Sequence, residues 1–247
     1  MRIPGSLRAA ISRIGIIYVR LLCAREYKRQ IYTGTNERPI EVSFLFRELV
    51  ELWPKKILDV GTGMTALPHL MRNCGFLVTA TDNIRDYWPA GMINRHYHVI
   101  NDDITKTVIS ETFDAVTCIS VLEHISAHAK AMKSMYKLLK PGGRLILTCP
   151  YNETRYVPNV YKLLESSVRE DYPFVTQAFS RRELDGWLSD SPFKLLKQEY
   201  WQFFEGEFWT CGARLPKPVQ VGGDSRHQLC CMVLSKPENN PSYGSVE

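Results

Sequence analysis

Ile57-Leu58-Asp59-Val60-Gly61-Thr62-Gly63 is the stretch whose reading decides the fold: an apolar strand carrying one acid near its carboxyl end, then a glycine turn. A buried strand is built from continuous apolar residues, so Asp59 costs several kcal/mol unless neighbours satisfy its carboxylate. Gly61 and Gly63 remove side chains where strand turns into helix, which lets a ligand lie against bare backbone. The pattern points to a nucleotide-like molecule over the carboxyl end of a parallel sheet.

Two kinds of turn share this outline. Gly61-Thr62-Gly63-Met64-Thr65-Ala66 satisfies the dinucleotide pattern G-x-G-x-x-G/A literally. That motif serves a pyrophosphate, which favours a helix N-terminus and is repelled by a nearby carboxylate. Asp59 instead suits a ligand bearing positive charge or hydroxyl donors. In these residues the chain resembles motif I of the class I S-adenosylmethionine (SAM) dependent methyltransferases, where the turn cradles the methionine end of SAM. The resemblance implies cofactor contacts from Asp59, Gly61, Thr62, Gly63 and Thr65, the last standing where the family often has a third glycine.

The downstream spacing follows the same scheme. Leu67 to Cys74 reads as a short helix with Pro68 in its first turn and Gly75 as its C-cap. Phe76 to Thr81 is a second β-rich run ending in Asp82, an acid placed to accept both ribose hydroxyls, with Asn83 and Ile84 completing that edge. A third run, Tyr97 to Asn101, leads into Asp102-Asp103-Ile104. By resemblance Asp103 accepts the adenine amine and the Ile104 amide faces a ring nitrogen; a paired-Asp turn is the alternative. Phe113 to Ile119 is the fourth strand, and the Ser120-Val121-Leu122-Glu123-His124-Ile125 run after it resembles the V-L-E-H segment of methyltransferases related to those of quinone biosynthesis. Ser120 falls at the cofactor edge. His124 is the candidate general base for a hydroxyl acceptor, or else a residue that hydrogen-bonds a loop or caps the next helix. Helical spacing over Ser126 to Lys140, a Pro141-Gly142-Gly143 stop and a fifth strand over Arg144 to Cys149 complete the shared region.

Beyond it, Tyr151 to Gln177 reads as a substrate-side insertion carrying Tyr151, Arg155, Tyr156, Tyr161 and Tyr172. Ser180-Arg181-Arg182-Glu183 has capping-box spacing for a helix through Trp187. Phe193 to Phe204 and Leu229 to Leu234 are the last two strands, joined by a long loop, 205–228, that holds Trp209. Tyr151, Arg155, Tyr156 and Trp209 are the candidate acceptor-binding residues. The expected fold is a Rossmann-like α/β/α sandwich, an α/β class fold whose seven-stranded, mostly parallel sheet has an antiparallel last strand.

Composition agrees with one such domain at 39–236, preceded by a basic extension, 1–38, and followed by a polar tail, 237–247, expected to be disordered. Residues 1–30 carry seven basic side chains against Glu26, a net of +6; the whole chain is +5, so the remainder sums to −1. A near-neutral main domain argues against a nucleic-acid partner. The leading segment places Ile11, Ile14, Tyr18 and Leu21 on one apolar face of a helix opposite Arg13 and Arg20. It is too short and too charged to span a bilayer. It packs on the domain or lies peripherally on an anionic membrane surface. Seven cysteines, mostly in strands and a helix, have no metal-ligand spacing, which fits reduced thiols in a cytoplasmic chain with no metal site.

The function implied is SAM-dependent methyl transfer to oxygen or nitrogen of a small-molecule, glycan or lipid-linked acceptor. The N/D/S-P-P-Y/F motif of enzymes that methylate base amines and the Pro-Cys of DNA cytosine enzymes are both missing after the fourth strand. A protein methyltransferase, a non-catalytic SAM-binding partner and an NAD-dependent oxidoreductase are the alternatives.

Overall fold

The apolar runs alternate between two faces of one sheet, and that alternation builds the layers. In the computed structural model, which describes residues 4–32, 34–88, 90–168 and 174–238, the chain divides into two units, Met1–Pro39 and Ile40–Glu247. The first contains α1 (Gly5–Lys28), none of whose residues is buried. Leu7, Ile11, Ile14, Tyr18 and Leu21 are each more than half exposed.

The second unit carries strands β1 (Lys56–Val60), β2 (Leu77–Asp82), β3 (Val99–Asn101), β4 (Phe113–Ile119), β5 (Leu139–Pro150), β6 (Lys194–Phe204), β7 (Arg214–Val221) and β8 (Leu229–Ser235). They form one sheet in the order β3-β2-β1-β4-β5-β8-β6-β7. The first five run parallel, and β8 inserts antiparallel between β5 and β6. Ile57, Ala115, Ile146 and Val233 join one buried cluster with Phe44, Leu45 and Leu49 of α2 (Arg38–Leu52) and Met71 of α3 (Leu67–Asn73). Their strand neighbours Leu58, Val116, Leu145, Leu147 and Met232 face the other way. There they meet Met132 and Met135 of α5 (His128–Leu138) and Leu184 and Trp187 of α6 (Arg181–Asp190). The result is the expected α/β/α sandwich. In α6 the Ser180 amide donates to Glu183 at 3.1 Å, so the capping box is formed.

Two boundaries differ from the sequence reading. The sheet has eight strands rather than seven, because the stretch read as one long loop, 205–228, contains β7, which pairs antiparallel with β6 at the sheet edge. Its Pro216 and Pro218 hid it, since proline is tolerated in a strand only where the edge needs no donor. Pro141-Gly142-Gly143 lies inside β5 rather than before it, with Gly142 at φ +76°. Most of the expected tail, 239–247, and Tyr172 of the insertion lie outside the described residues.

Asp114 locks the start of the central strands. Its Oδ2 accepts the Lys55 and Lys56 amides at 3.0 and 2.7 Å, and its Oδ1 accepts the Lys140 ammonium at 2.5 Å. Burial alone raises this carboxyl, but the Lys140 and backbone bonds outweigh it and hold the pKa below the ordinary value. A depressed acid stabilises the fold above its unfolded pKa and loses that contribution as pH falls through the folded one. Asp114→Asn is therefore expected to cost about 1–3 kcal/mol at pH 7. In urea melts at successively lower pH the gap to wild type closes as Asp114 takes up its proton. A gap that persists below pH 3 means that the acid's charge contributes nothing.

Candidate active site

The glycine turn after β1 is held by hydrogen bonds from three sides. Gly61 and Thr62 amides both donate to the Thr81 carbonyl of β2, at 2.9 and 3.0 Å. Asn94 donates from Nδ2 to the Gly63 and Thr65 carbonyls at 2.9 and 2.8 Å. Thr65 folds its hydroxyl back onto the Thr62 carbonyl at 2.9 Å, which is how the turn accommodates a side chain where the family often has glycine. Gly61 is obligatory on two counts: its φ is +73°, and a Cβ there would lie 2.3 Å from a Val121 methyl. The buried Asp59 is satisfied by two hydroxyls, Thr62 at 2.7 Å and Thr117 of β4 at 2.6 Å.

Asp82, at the end of β2, is 7% exposed and accepts the Gly63 amide at Oδ2 and the Trp88 indole N–H at Oδ1, each at 2.8 Å. Asn83 caps α4 (Ile84–Tyr87), a single turn that opens with the half-buried Ile84. At the next strand end the two acids have different partners. Asp103 turns its Oδ1 onto the Thr105 amide and hydroxyl at 2.9 and 2.8 Å, with Lys106 at 3.5 Å from Oδ2. Partial burial raises its pKa, but these partners overcome that and leave it lowered. Asp102 is the buried one. Its Oδ1 accepts the Val108 amide at 3.0 Å, while its Oδ2 is enclosed without a hydrogen-bond partner. Ile104 is 5% exposed, within the core.

Across the turn, Ser120 follows β4 at φ +55°, a strained conformation for a residue with a side chain. Its amide donates to the Thr148 hydroxyl at 3.0 Å, and that hydroxyl donates to the buried Glu41 of α2 at 2.7 Å. The Ser120 hydroxyl donates to Glu123 at 2.8 Å. His124 places Nδ1 2.7 Å from the Val175 carbonyl. A carbonyl only accepts, so Nδ1 carries the hydrogen and Nε2 keeps its lone pair in the neutral ring. Gln177 holds the same turn, donating to the Glu123 and Ile125 carbonyls at 3.0 Å and accepting the Tyr156 hydroxyl at 2.7 Å. Phe174 and Tyr87 lean on the imidazole, with ring centroids 5.1 and 6.4 Å away. Burial, then the Glu123 and Asp82 charges, push the Tyr87 hydroxyl up to about 12, so it stays a neutral donor.

These acids and the glycine turn lie at the carboxyl ends of β1, β2 and β3, beside the Ser120 turn after β4, where strand order reverses around β1 and β4. The profile of a family described as a methyltransferase domain matches residues 35–198. The chain belongs to that methyltransferase family. Among its relatives, ubiquinone biosynthesis O-methyltransferase of Pseudomonas entomophila (strain L48) is 30% identical over 119 residues, covering 44% of this chain and 50% of the relative. The mitochondrial protein of that name from Schizosaccharomyces pombe (strain 972 / ATCC 24843) is 32% identical over 112 residues, covering 42% and 41%. The chain thus spans about half the length of these curated relatives. Burkholderia thailandensis 1,6-didemethyltoxoflavin-N1-methyltransferase, solved with S-adenosylhomocysteine, superposes at TM-score 0.54 with 13% identity over 96% of this chain and 92% of that one. A SAM-dependent methyltransferase from Clostridium acetobutylicum ATCC 824 gives 0.53 with 14% identity, over 89% and 99%. Both show that the fold is shared.

The residues at this site fit SAM. The enclosed, unpartnered Oδ2 of Asp102 is an acceptor of the kind an exocyclic amine fills, and Gly61 and Gly63, both at positive φ, form a turn with no side chains of its own, of the kind a methionine chain lies along. Three of the four acceptor-side candidates have their partners elsewhere. Tyr151 is 1% exposed and stacks on His227 in the core. Trp209 packs edge-on against Phe203 and Phe204. Arg155 lies over the Phe208 ring at 4.5 Å. Only Tyr156 reaches the His124 turn, through Gln177. The rings around His124 come from Tyr87, on the cofactor side, and Phe174, which sequence reasoning passed over because aromatic content alone does not say which rings converge. Among the described residues no group of His, Cys, Asp and Glu is arranged to hold a metal.

Proposed function

We propose that this chain is a SAM-dependent O-methyltransferase acting on a small-molecule acceptor. The observation that carries the reading is the run of acids at successive strand ends, Asp59, Asp82 and Asp102, around a glycine turn. SAM, when bound, supplies a methyl already made electrophilic by its sulfonium. Asp59 and the turn hold the cationic end, Asp82 the ribose and Asp102, in place of Asp103, the adenine amine. Isothermal titration calorimetry is expected to show tighter binding of SAM and its demethylated product than of NAD; NAD binding more tightly than SAM removes the reading.

The relatives named as O-methyltransferases and the His124 tautomer together favour a hydroxyl acceptor. His124 Nε2 takes the hydroxyl proton as the oxygen attacks, while Val175 and Gln177 hold the ring and its turn in place. His124→Gln is expected to keep SAM affinity and lose turnover by about a hundredfold or more. An unchanged rate makes His124 a structural residue and leaves orientation alone to do the chemistry.

Residues 1–30, with net charge +6 and the exposed apolar side chains of α1, are proposed to rest on an anionic membrane surface facing the cytoplasm. No helix among the described residues is long and apolar enough to cross a membrane. The full chain is expected to float with vesicles containing phosphatidylglycerol and not with pure phosphatidylcholine. Failure to float with either removes the peripheral contact.

A further inference from the structure

We infer that Trp88 competes with the cofactor ribose for Asp82, so that SAM enters only by displacing this side chain; the inference rests on the SAM reading above. Trp88 takes both things the ribose corner offers. Its indole N–H donates to Asp82 Oδ1 at 2.8 Å, and the other oxygen, Oδ2, already accepts the Gly63 amide. Its ring carbon Cζ2 lies 3.6 Å from where a Cβ on Gly63 would stand. The face that glycine leaves open for a ligand is therefore covered by an indole. A hydroxyl that enters must replace a hydrogen bond to a charged acceptor, among the stronger kinds in a protein.

The chain on either side of Trp88 is tied at a few points. Upstream, α4 is a single turn whose cap, the Asp86 amide to Asn83 Oδ1, is long at 3.4 Å, and the Arg85 amide is pinned to Asn101 at 2.9 Å. Downstream, Asn94 is clamped to the glycine turn. Between these fixed points the Gly91 amide donates to the Trp88 carbonyl at 2.9 Å, a backbone bond that a moving Trp88 must carry along or break. Tyr87 is next to Trp88, in edge contact with it at 5.8 Å, and its ring also leans on His124 and Phe174. Displacing Trp88 therefore disturbs the acceptor side as well.

A binding-competent population held to about a tenth by the Trp88–Asp82 bond weakens apparent SAM affinity about tenfold. Trp88→Phe keeps a ring but has no donor. It is expected to bind SAM about three- to tenfold more tightly than wild type by calorimetry, with a wild-type tryptophan fluorescence change on SAM addition that the variant lacks. Trp88→Leu, also without a donor, gives the same gain in affinity and serves if the Phe variant melts early. Equal or weaker SAM binding by a folded variant overturns the inference and makes Trp88 a brace that holds Asp82 ready for the ribose. If neither wild type nor variants bind SAM, the cofactor reading falls, and the competition with it.

Discussion

A buried carboxylate between two hydroxyls is what the rest of this site depends on. Asp59 lies near the end of a central strand with apolar neighbours, and without Thr62 and Thr117 it would be too costly to keep there as an anion. The two hydroxyls come from different places, the glycine turn itself and the adjacent strand β4. Satisfying one acid therefore fixes the turn against the sheet and sets β1 beside β4, where the strand order reverses. The second ring of support follows from the same geometry: Val121 fills the space that Gly61 leaves open, so the segment leading to His124 packs directly on the cofactor turn.

The fold was legible because its elements obey simple periodicities. Strand β4 spans the Phe113 to Ile119 run, and α3 and α6 start and stop on proline, glycine and capping signals that act locally. Strand β7 was not legible, since Arg214-Leu215-Pro216-Lys217-Pro218 has the composition of a loop and becomes a strand only because β6 supplies an edge to pair with. The cofactor half of the site was legible for a related reason. Acids at strand ends and glycines at turns are set by position along the chain. Asp102 and Asp103 show the limit of that logic, because neighbouring acids differ only in which way the backbone turns them, and Lys106 and Thr105 decide it. The acceptor half was less legible, since Phe174 and Tyr87 are 87 residues apart in sequence and meet only through the loops above the sheet.

The acceptor side is thus assembled from distant pieces and held by few contacts. Beside the bond between His124 and the Val175 carbonyl, Gln177 joins the insertion to the turn after β4 by two side-chain hydrogen bonds. Its backbone amide adds a fourth tie to the Glu123 carbonyl at 3.0 Å. A single amide side chain can do this because it presents donors and an acceptor at once, and here the acceptor is used to orient Tyr156. The chemistry of the cofactor end is fixed by the sheet, whereas the shape of the acceptor end is open to change by substitution in loops.

The two ends of the sheet order are finished in different ways. At one end β3 has only three residues. At the other, β7 carries Pro216 and Pro218, which lack backbone donors, with the charged Arg214 and Lys217 beside them. Neither border offers a further strand a continuous row of amides to pair with. When copies of the chain meet, a three-residue strand and a proline-broken one are poor templates along which their sheets could fuse into fibres.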